Sequence, residues 1–427
     1  MSTRRAVIVG GVRTPFVRAF GPFTRLDTIA LGVAAVRGLL SRHPISRQDI
    51  DSMIWGGVIL PGTAPNVGRE IVIDLGLPRT IEAMTVTRAC ATGLQAVTLA
   101  AAAIERGESD VVIAGGSDST SNAELTMPAS LVHKAAPVFL DKGAGPAEYF
   151  KLLTELNPAK DLVPRPPKIA ERSTGQVMGE AAEEMARRNG IARRDQDELA
   201  VRSHLRAALA ISSGRFASEV VPVELPNGET VSADGIVRGD TSVEKLEKLR
   251  PAFAKDGTLT AGNSSSLTDG AAAVLLMEES KARTLGLKPL AAFRSWAYVG
   301  VDPADQLLIG PAFAMPKALD RAGMKLSDIG VVDMHEAFAA QVLSILKMLA
   351  SDAFAKARLG REEAVGEILP DRLNVHGGSI ALGHPFGATG ARMVTTMAHE
   401  VAAGKGTALL GICAAGGLGA AAVLEAV

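Results

Sequence analysis

Large rings are scarce in this chain of 427 residues: Phe, Tyr and Trp together make 4% of it, with two Trp and two Tyr. A core must then be filled by aliphatic side chains and by close approach of backbones, which 44 glycines and abundant alanine permit. Cysteine occurs twice, at 90 and 413. A pair so far apart forms no disulfide framework and lacks the grouped spacing of a zinc site, so no metal is expected, a reducing compartment is expected, and the thiols are either inert or chemical. An excess of one charge is also missing. With 45 basic and 46 acidic residues the net charge is −1, which leaves no cationic field to hold a polyanion and argues against nucleic acid as a partner. No apolar run reaches the roughly 18 uninterrupted residues of a spanning helix. The start, "MSTRRAVIVGG", passes from two arginines into a short β-rich run without the apolar stretch or cleavage site of a signal peptide. The expectation is a cytoplasmic, soluble protein.

What is present is ample material for burial, 47% hydrophobic residues, in a chain long enough for two or three structural units. Short β-rich runs alternate with alanine-rich helical segments ("RAVIVGG", "TIALGVAAVRGLL", "DSMIWGGVI", "ATGLQAVTLAAAAIERG", "SDVVIAGGSDS"). That rhythm predicts an α/β fold around a largely parallel, fully covered sheet. Prolines, a charged helical stretch and loop-like pieces interrupt it between 121 and 262. The expected organisation is a first half at 1–120, an inserted loop domain at 121–262, residues 263–288 completing the first half, and a second half at 289–427.

The second half repeats the first. "ATGLQAVTLAAAAIERG" begins at Ala91 and "ATGARMVTTMAHEVAAG" at Ala388, and "LLSRHPISRQDIDSMIWG" matches "ALDRAGMKLSDIGVVDMH" in the same order. Two pairs in one order indicate a duplicated α/β unit rather than a chance likeness of alanine-rich helices. Packed about a pseudo-twofold axis, the two copies bring equivalent loops to one place, with Cys90 and Gly387 at matching helix starts.

Four features carry possible chemistry. Cys90, in "TRACATGLQAV", stands just before a helix, where unpaired amides and the helix dipole favour a thiolate, although a lone cysteine is more often a small buried hydrophobe. "NVHGGSIALGHPFGATG" places His384 before Pro385 among five glycines, a setting for a base close to a ligand or for a plain turn. His335, in "VVDMHEAFAAQ", begins like a His-Glu-x-x-His zinc motif, but position 339 is alanine and that reading fails. Cys413 lies in "ALLGICAAGGLGAA", a glycine-rich turn between two β runs with no dinucleotide fingerprint after it.

Taken together, "RACATGLQA", "HEAFA", "GGSIALGHPFGATGAR" and "CAAGGLGAA" resemble the thiolases, and "STGQVMGEAAEEMA", "RPAF" and "TAGNSSSLTDGAAAVLLM" extend the likeness over nearly the whole chain. Most thiolases carry Asn at the position of His335; the histidine form is similar to the β-subunits of fatty-acid oxidation trifunctional complexes. The resemblance implies a five-layered α-β-α-β-α duplicated core with an inserted loop domain, and an acetyl-CoA C-acyltransferase activity: CoA-dependent cleavage of 3-oxoacyl-CoA in β-oxidation. It implies Cys90 as acyl-accepting nucleophile, His384 as its base, His335 with a water at the enolate oxygen and Cys413 as proton donor. The backbone N–H groups of Cys90 and Ala415 form a second oxyanion site. It further implies that Met178, Phe253, Ser265 and Phe338 contact CoA, which is a substrate rather than a permanent cofactor, and that the chain forms a homodimer or tetramer, with a hydratase/dehydrogenase α-subunit as a possible partner.

Alternatives stand beside this reading. A biosynthetic acetoacetyl-CoA thiolase would use the same site in reverse. A 3-oxoacyl synthase has a Cys-His-His site echoed by Cys90, His335 and His384, but needs no Cys413. A non-catalytic CoA-ester binding protein has no use for all four side chains. The basic residues of "ARRNGIARRDQ" suit either CoA phosphates or an ordinary solvated helix face. The apolar stretch at 125–156 suits a covering loop, a subunit contact, a membrane surface or an α-subunit dock.

Overall fold

The computed structural model describes residues 4–165, 167 and 169–427. The principal strands are β1 (Ala6–Arg13), β2 (Ser52–Gly56), β3 (Glu82–Val86), β4 (Val111–Ser119), β5 (Thr268–Glu278), β6 (Ala291–Gly300), β7 (Ile329–Met334), β8 (Thr407–Ala414) and β9 (Leu418–Glu425). The principal helices are α1 (Thr28–Arg42), α2 (Thr92–Glu105), α3 (Ala129–Leu140), α4 (Pro146–Glu155), α5 (Met178–Asn189), α6 (Arg193–Ser212), α7 (Gly310–Ala322), α8 (Ala339–Leu349) and α9 (Phe386–Ala402).

The strands hydrogen-bond in the order β7-β8-β9-β6-β1-β5-β4-β2-β3. The duplication is explicit in that order. The first half runs β1-β5-β4-β2-β3 and the second β6-β9-β8-β7, beyond which Leu373 bridges Val332 in parallel at the place equivalent to β3. The halves meet where β1 pairs β6 through two residue pairs, Val7 with Ala292 and Ile8 with Ala291.

Alternation along single strands builds the layers. Ala6 and Ile8 of β1, and Ala272, Val274 and Leu276 of β5, enter a central core with α2 and α9. Their neighbours Val7, Val9, Ala273 and Leu275 enter an outer core under α1. A second outer core holds α7 and α8 with α5. Helix, sheet, paired helices, sheet and helix make five layers, as the resemblance implies. The expectation of a largely parallel sheet is corrected: β2/β3, β2/β4 and β7/β8 are parallel, but β1/β5, β4/β5, β8/β9, β6/β9 and β1/β6 are antiparallel. Burial on both faces gives antiparallel strands the continuous apolar runs that ordinarily mark parallel ones. The tight turn between β8 and β9 forces their antiparallel pairing.

Residues 1–122 with 170–427 form one compact unit and 123–169 another. In the smaller one, α3 and α4 bury Ala135 and Leu152, Phe139 meets Tyr149 at 5.9 Å, and Lys134 reaches Asp161 at 2.9 Å. Among the described residues no helix is long and apolar enough to cross a membrane.

The two central helices cross on glycine. A Cβ at Gly93 of α2 would lie 2.4 Å from the Gly387 carbonyl oxygen, and one at Gly390 of α9 would lie 2.2 Å from the Leu94 nitrogen. These are the two glycines matched by the sequence repeat. Backbone neighbours cannot rotate away as a side chain can, so the crossing admits no methyl group. Gly93→Ala is expected to destabilise the fold by about 1–3 kcal/mol or more, read as a lowered thermal midpoint; a midpoint equal to wild type would contradict the crossing.

Candidate active site

The crossing sets two helix starts side by side. Beyond β3 the chain turns through Ala89, whose φ of 44° is in the left-handed region that a non-glycine residue rarely occupies. Cys90 follows and Ala91 is the N-cap residue of α2. The turn is held by the Thr92 hydroxyl accepting from the Arg88 amide at 2.6 Å and by the Thr92 amide donating to the Ala89 carbonyl at 3.0 Å. This elbow presents Cys90, which as a residue is half-buried. The position before a helix is as expected, but the favoured thiolate is not. Burial pushes the thiol up to about 11, against the backbone N–H groups of Ala415 and of Cys90 itself, which point at the sulfur. Desolvation outweighs the amides, so the resting thiol keeps its proton and needs a base.

Two imidazoles stand beside it. His384 precedes α9, with its amide donating to the Thr268 hydroxyl at 2.8 Å and its Nδ1 bonded to the Thr389 hydroxyl at 2.6 Å. His335, at the end of β7, bonds the Ser379 hydroxyl through Nδ1 at 2.8 Å. The ring centroids are 4.1 Å apart. In both rings Nε2 is buried and has no hydrogen-bond partner among the described residues. One ligand atom each from Cys90, His335 and His384 lie within 4.8 Å of one another. Burial, then Arg392, lowers the His384 pKa to about 3, and burial, then His384 and Arg392, lowers that of His335. Both rings are neutral near pH 7, so each Nε2 is free to accept or donate according to the tautomer its hydroxyl partner selects.

Cys413 is 1% exposed in β8, one residue before the strand's end rather than in the turn itself. Burial and then the neighbouring Cys90 raise its thiol well above the ordinary value. The turn that follows carries Ala415, with Gly416 and Gly417 at φ 83° and 65°. The Gly416 amide donates to Glu171 at 2.9 Å.

Several residues that frame this site were not singled out from the sequence. Asp118, at the end of β4, accepts from the amides of Val58, Ile59 and Gly387 at 2.9, 2.6 and 2.7 Å and so ties the start of α9 to the first half. Burial raises its pKa to about 7, against those three donors. Glu336 is no helix cap: it accepts from Ser203 and Asn374 side chains at 2.7 and 2.6 Å and from the Ile380 amide at 3.2 Å, stapling the His335 segment to the glycine-rich loop. Asn374 also holds both the amide and the carbonyl of Met334. Single polar residues such as "SD" at 117 gave no periodic signal. His376, the other histidine of that loop, lies 2.8 Å from Glu400.

The four residues expected at CoA divide into an aromatic group and a loop. Phe253 and Phe338 meet edge to face at 5.7 Å, and Met178 packs against the same core cluster. Ser265 is half-buried, its amide donating to the Ala337 carbonyl at 3.0 Å. Phe253 also lines a cavity of about 680 Å³ with Arg187 and Lys255. In the basic stretch, Arg188 pairs with Glu184 and Asp305, Arg193 with Asp197 and Arg194 with Glu198. Those three are occupied by acids of the protein.

A thiol and two neutral imidazoles lie at the seam of a duplicated α/β fold, with backbone amides aimed at the sulfur, an arrangement suited to an acyltransferase. Family models described as "Thiolase, N-terminal domain" and "Thiolase, C-terminal domain" match residues 6–280 and 287–426. The chain belongs to the thiolase family. It is 48% identical to the 3-ketoacyl-CoA thiolase of Enterobacter sp. (strain 638), over 99% of this chain and 97% of that protein. It is 46% identical to a protein of the same name from Yersinia pestis (strain Pestoides F), with the same coverage. The solved acetyl-CoA acetyltransferase of Bacillus anthracis superposes with a TM-score of 0.85 at 32% identity, covering 100% of this chain and 99% of that one. Human mitochondrial 3-ketoacyl-CoA thiolase gives 0.82 at 29%, with both chains covered in full.

The neutral His384 makes a prediction about stability. Its folded pKa of about 3 lies below the ordinary 6.5, so the unfolded chain binds its proton more readily. The contribution is present above pH 6.5 and is lost as pH falls toward 3. Denaturant titrations of wild type and His384→Gln should show the wild-type stability falling relative to the variant across that window; a constant difference would contradict the neutral buried ring.

Proposed function

We propose that this thiolase is a 3-ketoacyl-CoA thiolase (acetyl-CoA C-acyltransferase), cleaving 3-oxoacyl-CoA with free CoA into acetyl-CoA and an acyl-CoA shorter by two carbons, in fatty-acid β-oxidation. The observation that carries the reading is the grouping of the Cys90 sulfur with two buried imidazoles, each with an unpartnered Nε2. With its Nδ1–H donated to Thr389, His384 offers Nε2 as acceptor for the Cys90 proton, and the sulfur attacks the 3-keto carbon. Carbon–carbon cleavage leaves an acyl-Cys90 and the enolate of acetyl-CoA. The His384 imidazolium and the side chain at 335 face the enolate oxygen, His335 with its Nε2 protonated and its Nδ1 accepting from Ser379. Cys413, whose raised pKa keeps the thiol protonated until a carbanion takes the proton, supplies the hydrogen to carbon.

In the second half-reaction CoA attacks the acyl group, and the amides of Cys90 and Ala415, already directed at the sulfur, receive the oxyanion. Met178, Phe253, Ser265 and Phe338 contact the pantetheine and the thioester; residues 121–262 supply the CoA-binding portion. CoA is a substrate and no permanent cofactor is called for. The protein works as a cytoplasmic homodimer or tetramer, with a hydratase/dehydrogenase α-subunit as a possible partner that would hand on 3-oxoacyl-CoA.

The competing decarboxylative synthase shares the Cys-His-His group, but a condensation that releases carbon dioxide has no need of a second buried thiol beside the first. Replacing Cys90 by Ala should lower thiolysis at least about a thousandfold while binding of a 3-oxoacyl-CoA changes only a few-fold. Cys413→Ala should cost about a hundredfold or more. Malonyl-thioester condensation without CoA-dependent thiolysis would sink the assignment, and activity across acyl lengths with an acetyl optimum would favour acetoacetyl-CoA instead.

A further inference from the structure

We propose that Cys90, His335 and His384 form a binding site for one Zn²⁺ ion, whose occupancy reversibly shuts the acyl-transfer centre. The two cysteines are too far apart in sequence for any zinc spacing, and the His-Glu-x-x-His motif is broken at Ala339; the fold assembles the donor set instead. Three donor atoms within 4.8 Å of one another are arranged as a soft S/N/N set. Ligands of a tetrahedral zinc stand about 3.4–3.8 Å apart at bond lengths near 2.0–2.3 Å, so closure needs on the order of 1 Å of side-chain movement.

Independent of the cysteine, each imidazole has the form of a preassembled ligand. The ring Nδ1 is committed to a hydroxyl, Ser379 for His335 and Thr389 for His384, which leaves Nε2 as the donor and fixes the orientation of each ring. This is the outer-shell arrangement that orients metal-binding histidines. Both Nε2 atoms are buried without a partner among the described residues, while His335 and His384 are 0% and 5% exposed. Two orphaned ring nitrogens beside a thiol are a costly arrangement for the empty protein and a good one for a borderline-soft cation. To bind through Nε2, His335 moves its ring proton to Nδ1, where the Ser379 hydroxyl turns to accept it, while His384 already holds its proton at Nδ1 against Thr389. The step balances simply: the Cys90 S–H bond breaks, its proton passes to solvent, a Zn–S bond forms beside two Zn–N bonds, and water takes the fourth position. Nothing is oxidised or reduced. His335 is the decisive member, because an asparagine at 335 would leave one sulfur and one imidazole.

The ion site rests on donor geometry; its effect on acyl transfer rests on the function proposed above. The full-length protein, freed of metal, is titrated with Zn²⁺ by calorimetry and with Co²⁺ as an absorbing probe. The expected result is one ion per chain, a thiolate-to-cobalt band in the near ultraviolet, protection of Cys90 from iodoacetamide, and loss of acyl transfer that a chelator restores. Cys90→Ala should abolish the band, His335→Asn should weaken Zn²⁺ at least about tenfold, and Ser379→Ala should weaken it by a comparable factor through His335 alone. Cys413→Ala should keep both the band and the affinity. Unchanged Zn²⁺ affinity in both Cys90→Ala and His335→Asn, or unaltered alkylation of Cys90 under saturating Zn²⁺, would overturn the site and leave the thiolase assignment standing. Zinc binding as described in a protein inactive toward 3-oxoacyl-CoA would do the reverse.

Discussion

The contact of Gly93 in α2 with Gly387 and Gly390 in α9 sets everything around the site. Two helices from duplicated halves can approach to backbone distance only where neither carries a Cβ, and both repeats keep glycine at the matched position. Gly116 at the end of β4 joins the same contact, since a Cβ there would lie 2.1 Å from the Gly387 carbonyl oxygen. The crossing brings the start of one helix, with Cys90, against the start of the other, with His384. Asp118 reinforces it by accepting the Gly387 amide together with two amides from the loop after β2. A chain poor in aromatics suits this design, because large rings between the helices would hold them apart.

The electrostatics of the site follow from that closeness. Burial raises both thiols and lowers both imidazoles, so the empty site rests with four neutral groups where an exposed cysteine–histidine pair has access to an ion pair. In the reaction proposed above, charge appears under amides and rings already in place, which is the condition under which such donors contribute most. The fixed charge that acts on the imidazoles is itself paired and buried: Arg392 meets Asp333 at 2.7 Å. Arg392 also helps to keep both imidazoles neutral.

The layered architecture and the family were legible in the sequence because each left a local pattern: apolar runs for covered strands, the repeated "ATG" helix starts, and the thiolase motifs around Cys90, His335, His384 and Cys413, side chains that the fold brings together. Strand direction was not legible, since burial on both faces erases the difference between parallel and antiparallel runs. The protonation of Cys90 was not legible for a similar reason: a helix start, which favours a thiolate, can be read from sequence, but the burial that opposes it cannot. Asp118, Glu171, Thr268 and Ser379 act through hydrogen bonds to residues distant in sequence and, like Thr389 beside His384, have no periodic spacing to betray them. Met178, Phe253 and Phe338 were identified by resemblance, and the structure gathers them around one core cluster.

Acyl transfer through the sulfur at the helix crossing, as proposed above, requires a covalent intermediate on Cys90. The most direct measurement is mass spectrometry of the protein quenched with acid after mixing with a 3-oxoacyl-CoA in the absence of free CoA. The account predicts one acyl group per chain, shorter by two carbons than the substrate, on the peptide containing Cys90 and removed by added CoA. An acyl group on the Cys413 peptide instead, or no covalent adduct while turnover proceeds, would contradict it.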